Sequence, residues 1–280
     1  MVSAPISIGA YFLPLLYILH SNRVFHLGLA VDLATFMNTT RTICIDFGNT
    51  RQKAALFEGH HQKEVSYFSD DLEKSMDSLL NSWQPQRSIL SSVINHPESI
   101  EKLLESQTRF HLLQAATSRL PFSTPVGKPE TIGADRLALC AAAVLLYPNQ
   151  NNLVVGLGTA VTYNFINVRN EFLGGGISPG MHMRMKALNT YTAKLPIVDP
   201  EWNVPIVGFD TKTNIQSGVV LGLAYEIEGF ITEYARKYRA FNVLLTGGDT
   251  VHLAPHLKSM IFADPDLLFK GLYAICDLNV

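Results

Sequence analysis

Ile45-Asp46-Phe47-Gly48-Asn49-Thr50-Arg51-Gln52-Lys53 runs from an apolar strand into a glycine turn and out into a second strand. The chain repeats that shape downstream at Val155-Gly156-Leu157-Gly158-Thr159-Ala160-Val161-Thr162. Reading outward from the first copy, β-type runs fall at residues 41–47, 53–58 and 64–68, with Gly48-Asn49-Thr50 and Gly59-His60 supplying the turns. A helix capped by Ser69 and reaching about Trp83, an apolar strand over residues 88–93 and a helix opening at Pro97 follow. Around the second copy, strands at 153–157, 160–168 and 171–173 precede helical periodicity over 181–193 and 214–238. A short strand at 242–245 then leads to a last helix, with Asp264 as cap and Pro265 in its first turn. A duplicated β-β-β-α unit builds two facing domains, predicted here over residues 37–150 and 151–280. The boundary lies where apolar residues give way to Asn149, Gln150, Asn151 and Asn152, and the cleft between the halves is the default ligand site.

Composition agrees with a folded chain. Of the 280 residues, 47% are hydrophobic and 16% charged, which excludes a disordered segment. A net charge of −2 offers nothing to nucleic acid. The three cysteines, Cys44, Cys140 and Cys276, each sit in an apolar run at spacings that fit neither a zinc site nor a disulfide framework. They read as core residues in a reducing compartment, which points to the cytoplasm. The apolar stretch over residues 6–19 is broken by Pro14 and is too short to span a membrane; it also lacks the basic start and cleavage site of a signal peptide. With Met37 just ahead of the first clear strand, residues 1–36 are expected to be a misassigned extension.

Five motifs carry candidate chemistry. In Asp46-Phe47-Gly48-Asn49-Thr50-Arg51-Gln52-Lys53, Gly48 lets backbone amides approach a phosphate, Asp46 suits Mg²⁺ and Lys53 suits phosphate charge. Alone, that motif reads better as a plain hairpin; Gly158, Thr159 and Thr162 at the equivalent turn of the second half turn the reading toward phosphate binding. Thr246-Gly247-Gly248-Asp249 ends a buried strand in a turn against which a flat ring or ribose can lie. Gly133-Ala134-Asp135-Arg136 opens a helix, where an aspartate either complements the helix dipole or deprotonates a hydroxyl beside a carboxylate-binding arginine. Spacing leaves both readings open. The run from Gly174 to Gly180 reads as a substrate wall, a hinge or a structural turn.

These five motifs in this order resemble the type III pantothenate kinase family over nearly all of the chain after Met37. The resemblance implies an α/β, two-domain actin-like ATPase fold, a duplication of the ribonuclease H-like unit. It implies transfer of the ATP γ-phosphate to pantothenate, the first step of coenzyme A biosynthesis, by a homodimer using Mg²⁺ and a monovalent cation such as K⁺ or NH₄⁺. It assigns ATP to Asp46–Lys53, Gly158, Thr159, Thr162 and Thr246–Asp249, with Asp46 toward Mg²⁺. It assigns the catalytic base to Asp135, and the pantothenate side to Gly133, Ala134, Arg136 and Thr211. Three positions depart from the family pattern: Gly156 and Asn164 replace acidic residues of the cation site, and Val126 stands where a tyrosine is common. Reduced activity or a changed cation requirement is the expectation. A kinase for a sugar is disfavoured by Arg136. A regulatory protein of the same fold, such as the relatives named as transcription accessory factors, stands as the alternative.

Overall fold

β1 (Arg41–Phe47) is buried along almost its whole length, as a central strand must be. Its alternation sends Ile43, Ile45 and Phe47 to one face and Cys44 to the other. It pairs antiparallel with β2 (Gln52–Glu58) and parallel with β4 (Arg87–Ser92). With β3 (His61–Tyr67) and β5 (Arg109–Leu112) outside these, the first sheet has the order β3-β2-β1-β4-β5. The second sheet repeats it. β6 (Asn152–Leu157) pairs antiparallel with β7 (Ala160–Ile166) and parallel with β9 (Asn242–Gly247). β8 (Phe172–Pro179) and β10 (Phe262–Ala263) form the edges, giving β8-β7-β6-β9-β10. Two sheets of one topology in one chain are the duplicated ribonuclease H-like arrangement of the actin-like fold.

This computed structural model describes residues 40–125 and 127–280. The expected start at Met37, the extension over residues 1–36 and the Val126 departure lie outside the described residues. Residues 40–280 cluster as one unit.

Helices stack on both sheets in layers. α1 (Leu72–Trp83) and α2 (Glu98–Gln107) press Met76, Leu80, Ile100 and Leu104 onto the Ile43, Ile45 and Phe47 face of the first sheet. α4 (Met181–Thr190) and α5 (Thr211–Lys237) press Met185, Leu223 and Ile227 onto the Val155 and Tyr163 face of the second. A one-turn helix α6 (Thr250–Leu253) follows β9, and between the sheets lie α3 (Ala134–Leu146) and α7 (Leu267–Asn279), whose core joins Cys44 and Ile89 to Val154 and Ile166. The two central helices exchange places. α3, which follows the first sheet in the chain, packs on β6 and β7, and α7, which follows the second, packs on β1 and β4. They meet at backbone contact: a Cβ added at Gly271 would stand 1.8 Å from the Ala138 carbonyl oxygen. Buried Arg87 fastens α7 to the first sheet, donating from Nη1 to Asp277 at 2.7 Å and from Nε to the Thr42 hydroxyl at 3.0 Å.

Local expectations differ from the fold in four places. Asp71, not Ser69, caps α1: its carboxylate accepts from the Lys74 amide at 3.0 Å, while the Ser69 hydroxyl turns to Asp71 and Ser75. Asp266 occupies the cap position of α7 without a side-chain cap bond, while Asp264, two residues earlier, accepts from the Asp266 amide at 3.0 Å and from Lys270 at 2.6 Å. The edge strands β5 and β10 are additions. The glycine run lies in the strand β8 and not in a turn, and glycine fits there because a Cβ at Gly175 would stand 1.8 Å from the Tyr163 carbonyl oxygen.

Gly271→Ala is expected to lower stability by about 1–3 kcal/mol in urea unfolding, since the helix crossing cannot accommodate a methyl. Gly222→Ala, in α5 where no atom lies within 4 Å of the new Cβ, is expected to raise it by roughly 0.4–1 kcal/mol. An unchanged midpoint for Gly271→Ala would contradict the close crossing.

Candidate active site

The turn between β1 and β2 is closed by the Gly48 amide donating to the Arg51 carbonyl at 3.2 Å, and braced by Gln52 Nε2 donating to the Gly48 carbonyl at 2.9 Å. Asn49, Thr50 and Arg51 are left exposed at its tip. The turn between β6 and β7 is equally tight, with the Gly158 amide donating to the Ala160 carbonyl at 3.1 Å. The two tips touch: Thr50 Oγ1 and Thr159 Oγ1 share a hydrogen bond of 2.7 Å. β9 runs parallel to β6 with Gly247 beside Leu157, so the Gly247-Gly248 turn opens next to the Gly158 turn. All three turns therefore line one crevice at the strand ends, where ligands of open α/β sheets bind.

Two carboxylates stand in that crevice. Asp46 ends β1, is only 7% exposed and sits opposite Lys53 in the β1–β2 register. Burial pushes its pKa up to about 6; the Lys53 charge opposes this, Asp135 adds to it, and the Ser91 hydroxyl, 3.4 Å away, opposes it. Lys53 extends over the Phe269 ring at 4.8 Å from the centroid. Asp135 lies in the first turn of α3, and a Cβ at Gly133 would be 2.6 Å from its Oδ1. Burial raises the Asp135 pKa as well, against the amide and charge of Arg136. Asp249 is raised by burial and lowered by His182, His252 and Arg51, so the first turn also reaches the third electrostatically.

Arg136 is held on the second sheet. Its Nε donates to Asn164 Oδ1 at 2.7 Å, its Nη2 to the Tyr163 carbonyl at 3.4 Å, and its guanidinium lies 5.4 Å from the Phe172 ring centroid. Asn164 in turn donates to the Val154 carbonyl at 3.3 Å and to Thr162 Oγ1 at 3.2 Å. The Thr162 hydroxyl is thus buried in a β7 network. Phe47 and Thr246 are buried too; the Phe47 ring packs edge-on against Phe68 and His96, so only its backbone belongs to the turn. Ala134 is buried under the start of α3, and Gly158 and Gly248 are exposed. Thr211 is exposed in the first turn of α5, outside the contacts that join the glycine turns. Sequence reasoning missed Ser91, whose signal was a serine near the C-terminal end of a buried strand that lies parallel to β1.

The donor set fits one cation and not the other. Among the described residues no three His, Cys, Asp or Glu side chains cluster as a metal cage. Mg²⁺ needs none: it binds through one or two carboxylates and substrate phosphates, and the buried Asp46, within electrostatic reach of Asp135, could supply such an oxygen. For a monovalent cation, Gly156 offers no carboxylate. A Cβ there would stand 2.8 Å from Thr162 Oγ1 and 3.1 Å from Leu139 Cδ1, so the space is already filled.

Comparison with known proteins points to one family. The profile of the type III pantothenate kinase family matches residues 42–233. The chain is 39% identical over 237 residues to a type III pantothenate kinase of Bacteroides fragilis, covering 85% of this chain and 98% of the relative. It is 40% identical over 241 residues to one of Cytophaga hutchinsonii, covering 85% and 99%. Among solved structures, a protein described as a Baf family transcriptional activator from Campylobacter jejuni superposes with a TM-score of 0.55 at 23% identity, over 84% of this chain and 97% of that one. At that identity the likeness speaks for the fold alone.

Burial of Asp46 has a measurable stability signature. Raising a carboxyl from 3.8 to about 6 costs the folded state about 3 kcal/mol at pH 7. The cost vanishes below pH 3.8, grows as pH rises to about 6 and is constant above. Without nucleotide, Asp46→Asn is therefore expected to melt higher than wild type at pH 7, with the gap closing as pH falls from 6 towards 4. A gap that is absent, or that widens on acidification, would contradict the buried, raised carboxyl.

Proposed function

The chain belongs to the type III pantothenate kinase family, and from that membership we propose that it transfers the γ-phosphate of ATP to the primary hydroxyl of pantothenate. The product is 4′-phosphopantothenate, and the step is the first in coenzyme A biosynthesis. The observation that carries this reading is the 2.7 Å contact between Thr50 and Thr159, which closes two glycine turns over one crevice holding Asp46 and Asp135.

Backbone amides of the Gly48 and Gly158 turns cradle the phosphates, and Lys53 counters their charge. The Gly247-Gly248 turn takes the adenosine. Asp46 would hold Mg²⁺, which would supply positive charge against the ATP phosphates when bound. Asp135 accepts the hydrogen bond of the pantothenate hydroxyl and orients it in line with the γ-phosphorus. As the new O–P bond forms and the bridge to the β-phosphate breaks, the hydroxyl proton passes to an Asp135 carboxylate oxygen and ADP leaves. A base whose pKa is raised by burial is better matched to that late proton. Positioning supplies most of the acceleration, because the transition state is loose. Arg136, fixed by Asn164 and Phe172, presents a rigid guanidinium to the pantothenate carboxylate.

The working unit is a homodimer, supported by exposed Ile206, Val207 and Phe209 just ahead of Thr211. Sedimentation giving a monomer at every micromolar concentration would refute it. The reaction takes place in the cytoplasm, where three buried free cysteines stay reduced.

A coupled ATP–pantothenate assay tests the reading directly: phosphorylation of pantothenate supports the kinase, and its absence favours the accessory-factor alternative. Asp135→Asn is expected to lower turnover by about 10²–10⁴-fold while ATP binding persists. Near-normal turnover would remove Asp135 from its role. In a K⁺ titration, activity is expected to respond weakly because Gly156 supplies no carboxylate, and ordinary activation would contradict that.

A further inference from the structure

Glu226, in the middle of α5, gathers polar groups from three other elements. Its Oε1 accepts from Tyr163 Oη of β7 at 2.9 Å and from Ser178 Oγ of β8 at 2.5 Å, and its Oε2 accepts from Arg184 Nη2 of α4 at 2.5 Å. Arg184 also donates from Nη2 to Ser178 Oγ at 3.1 Å and from Nε to the Pro179 carbonyl at 2.8 Å. The carboxylate thus fixes both the side chain and, through Arg184, the backbone of the Ser178-Pro179-Gly180 segment.

That segment is the backing of the second glycine turn. The Gly180 amide donates to the Thr159 carbonyl at 3.1 Å, and Pro179 pairs with Ala160 in the β7–β8 register. The fit is close: a Cβ at Gly180 would stand 2.3 Å from the Gly158 carbonyl oxygen and 2.5 Å from that of Thr159. Thr159 in turn holds Thr50. An unbroken series of contacts therefore leads from Glu226 to both turns.

We infer that Glu226 is a positioning residue: through Arg184 and Ser178 it sets the Gly158-Thr159 turn, and with it the affinity for the nucleotide phosphates. The inference rests on reading that turn as the phosphate cradle. Glu226 touches no reacting atom. It acts by preorganising the amides of a turn that would otherwise relax when empty. The carboxylate remains ionised because, although burial pushes its pKa up, hydrogen bonds from Ser178, Arg184 and Tyr163 hold it below the ordinary range.

The test uses the full chain, with ATP·Mg²⁺ binding followed by calorimetry and KM determined separately for each substrate. Loss of a charged hydrogen bond is worth about tenfold in affinity. Glu226→Gln is therefore expected to raise Kd and KM for ATP about tenfold, with the KM for pantothenate within about twofold of wild type. Tyr163→Phe removes a partner from the same carboxylate oxygen without touching the Ser178-Gly180 segment, and separates the two roles. It is expected to lower the melting temperature while leaving the ATP KM within about twofold of wild type. Equal ATP defects in both variants, or none in Glu226→Gln, would reduce Glu226 to a structural residue and overturn the inference. Should Glu226→Gln not fold, Ser178→Ala takes its place; a raised ATP KM supports the inference and an unchanged one overturns it. Wild-type protein that does not bind ATP·Mg²⁺ would instead overturn the kinase reading, and the inference with it.

Discussion

The backbones of α3 and α7 meet at Ala138 and Gly271, and the position of every glycine turn depends on that contact. Each helix follows one sheet in the chain and packs on the other, so the two helices tie the sheets into one core. A core of that kind is close-packed and resists small displacements. It fixes the ends of β1 and β6 opposite each other, and the short turns that leave those strands then have only one place to go. The Thr50–Thr159 hydrogen bond is the consequence. α3 carries Asp135 and Arg136 at its N-terminus, so the same packing delivers the candidate base to the crevice.

Function and stability oppose each other at Asp46. A carboxyl buried next to a second carboxyl is an unfavourable arrangement for folding alone. On the proposed reading it becomes useful when a cation and a polyphosphate bind, because the two carboxylates then gain a partner of opposite charge. Lys53 relieves only part of the cost, being shared between Asp46 and the Phe269 ring. The remainder is offset by the apolar layers on both faces of each sheet.

Much of this arrangement was legible in the sequence, because it rests on short-range rules. The bounds of β1 follow from one apolar run between a polar segment and a glycine, and the duplication follows from two copies of strand–glycine turn–strand. What escaped depends on distant neighbours. β5 and β10 are short edge strands with little buried surface, so neither shows a period. Gly174-Gly175-Gly176 has no intrinsic preference for a strand; only the closeness of the Tyr163 backbone makes glycine the fitting residue there. The caps of α1 and α7 were each displaced by two residues, since several aspartates and serines compete at those starts and three-dimensional partners decide. The hold of Asn164 on Arg136 joins residues far apart in the chain and leaves no trace in local spacing.

A crystal structure of the chain with Mg²⁺ and a non-hydrolysable ATP analogue tests the central claim most directly. The account requires the β- and γ-phosphates to lie between the Gly48 and Gly158 turns, with the metal on the side of Asp46. Phosphates bound elsewhere, or turns that part so that neither touches the nucleotide, would contradict it.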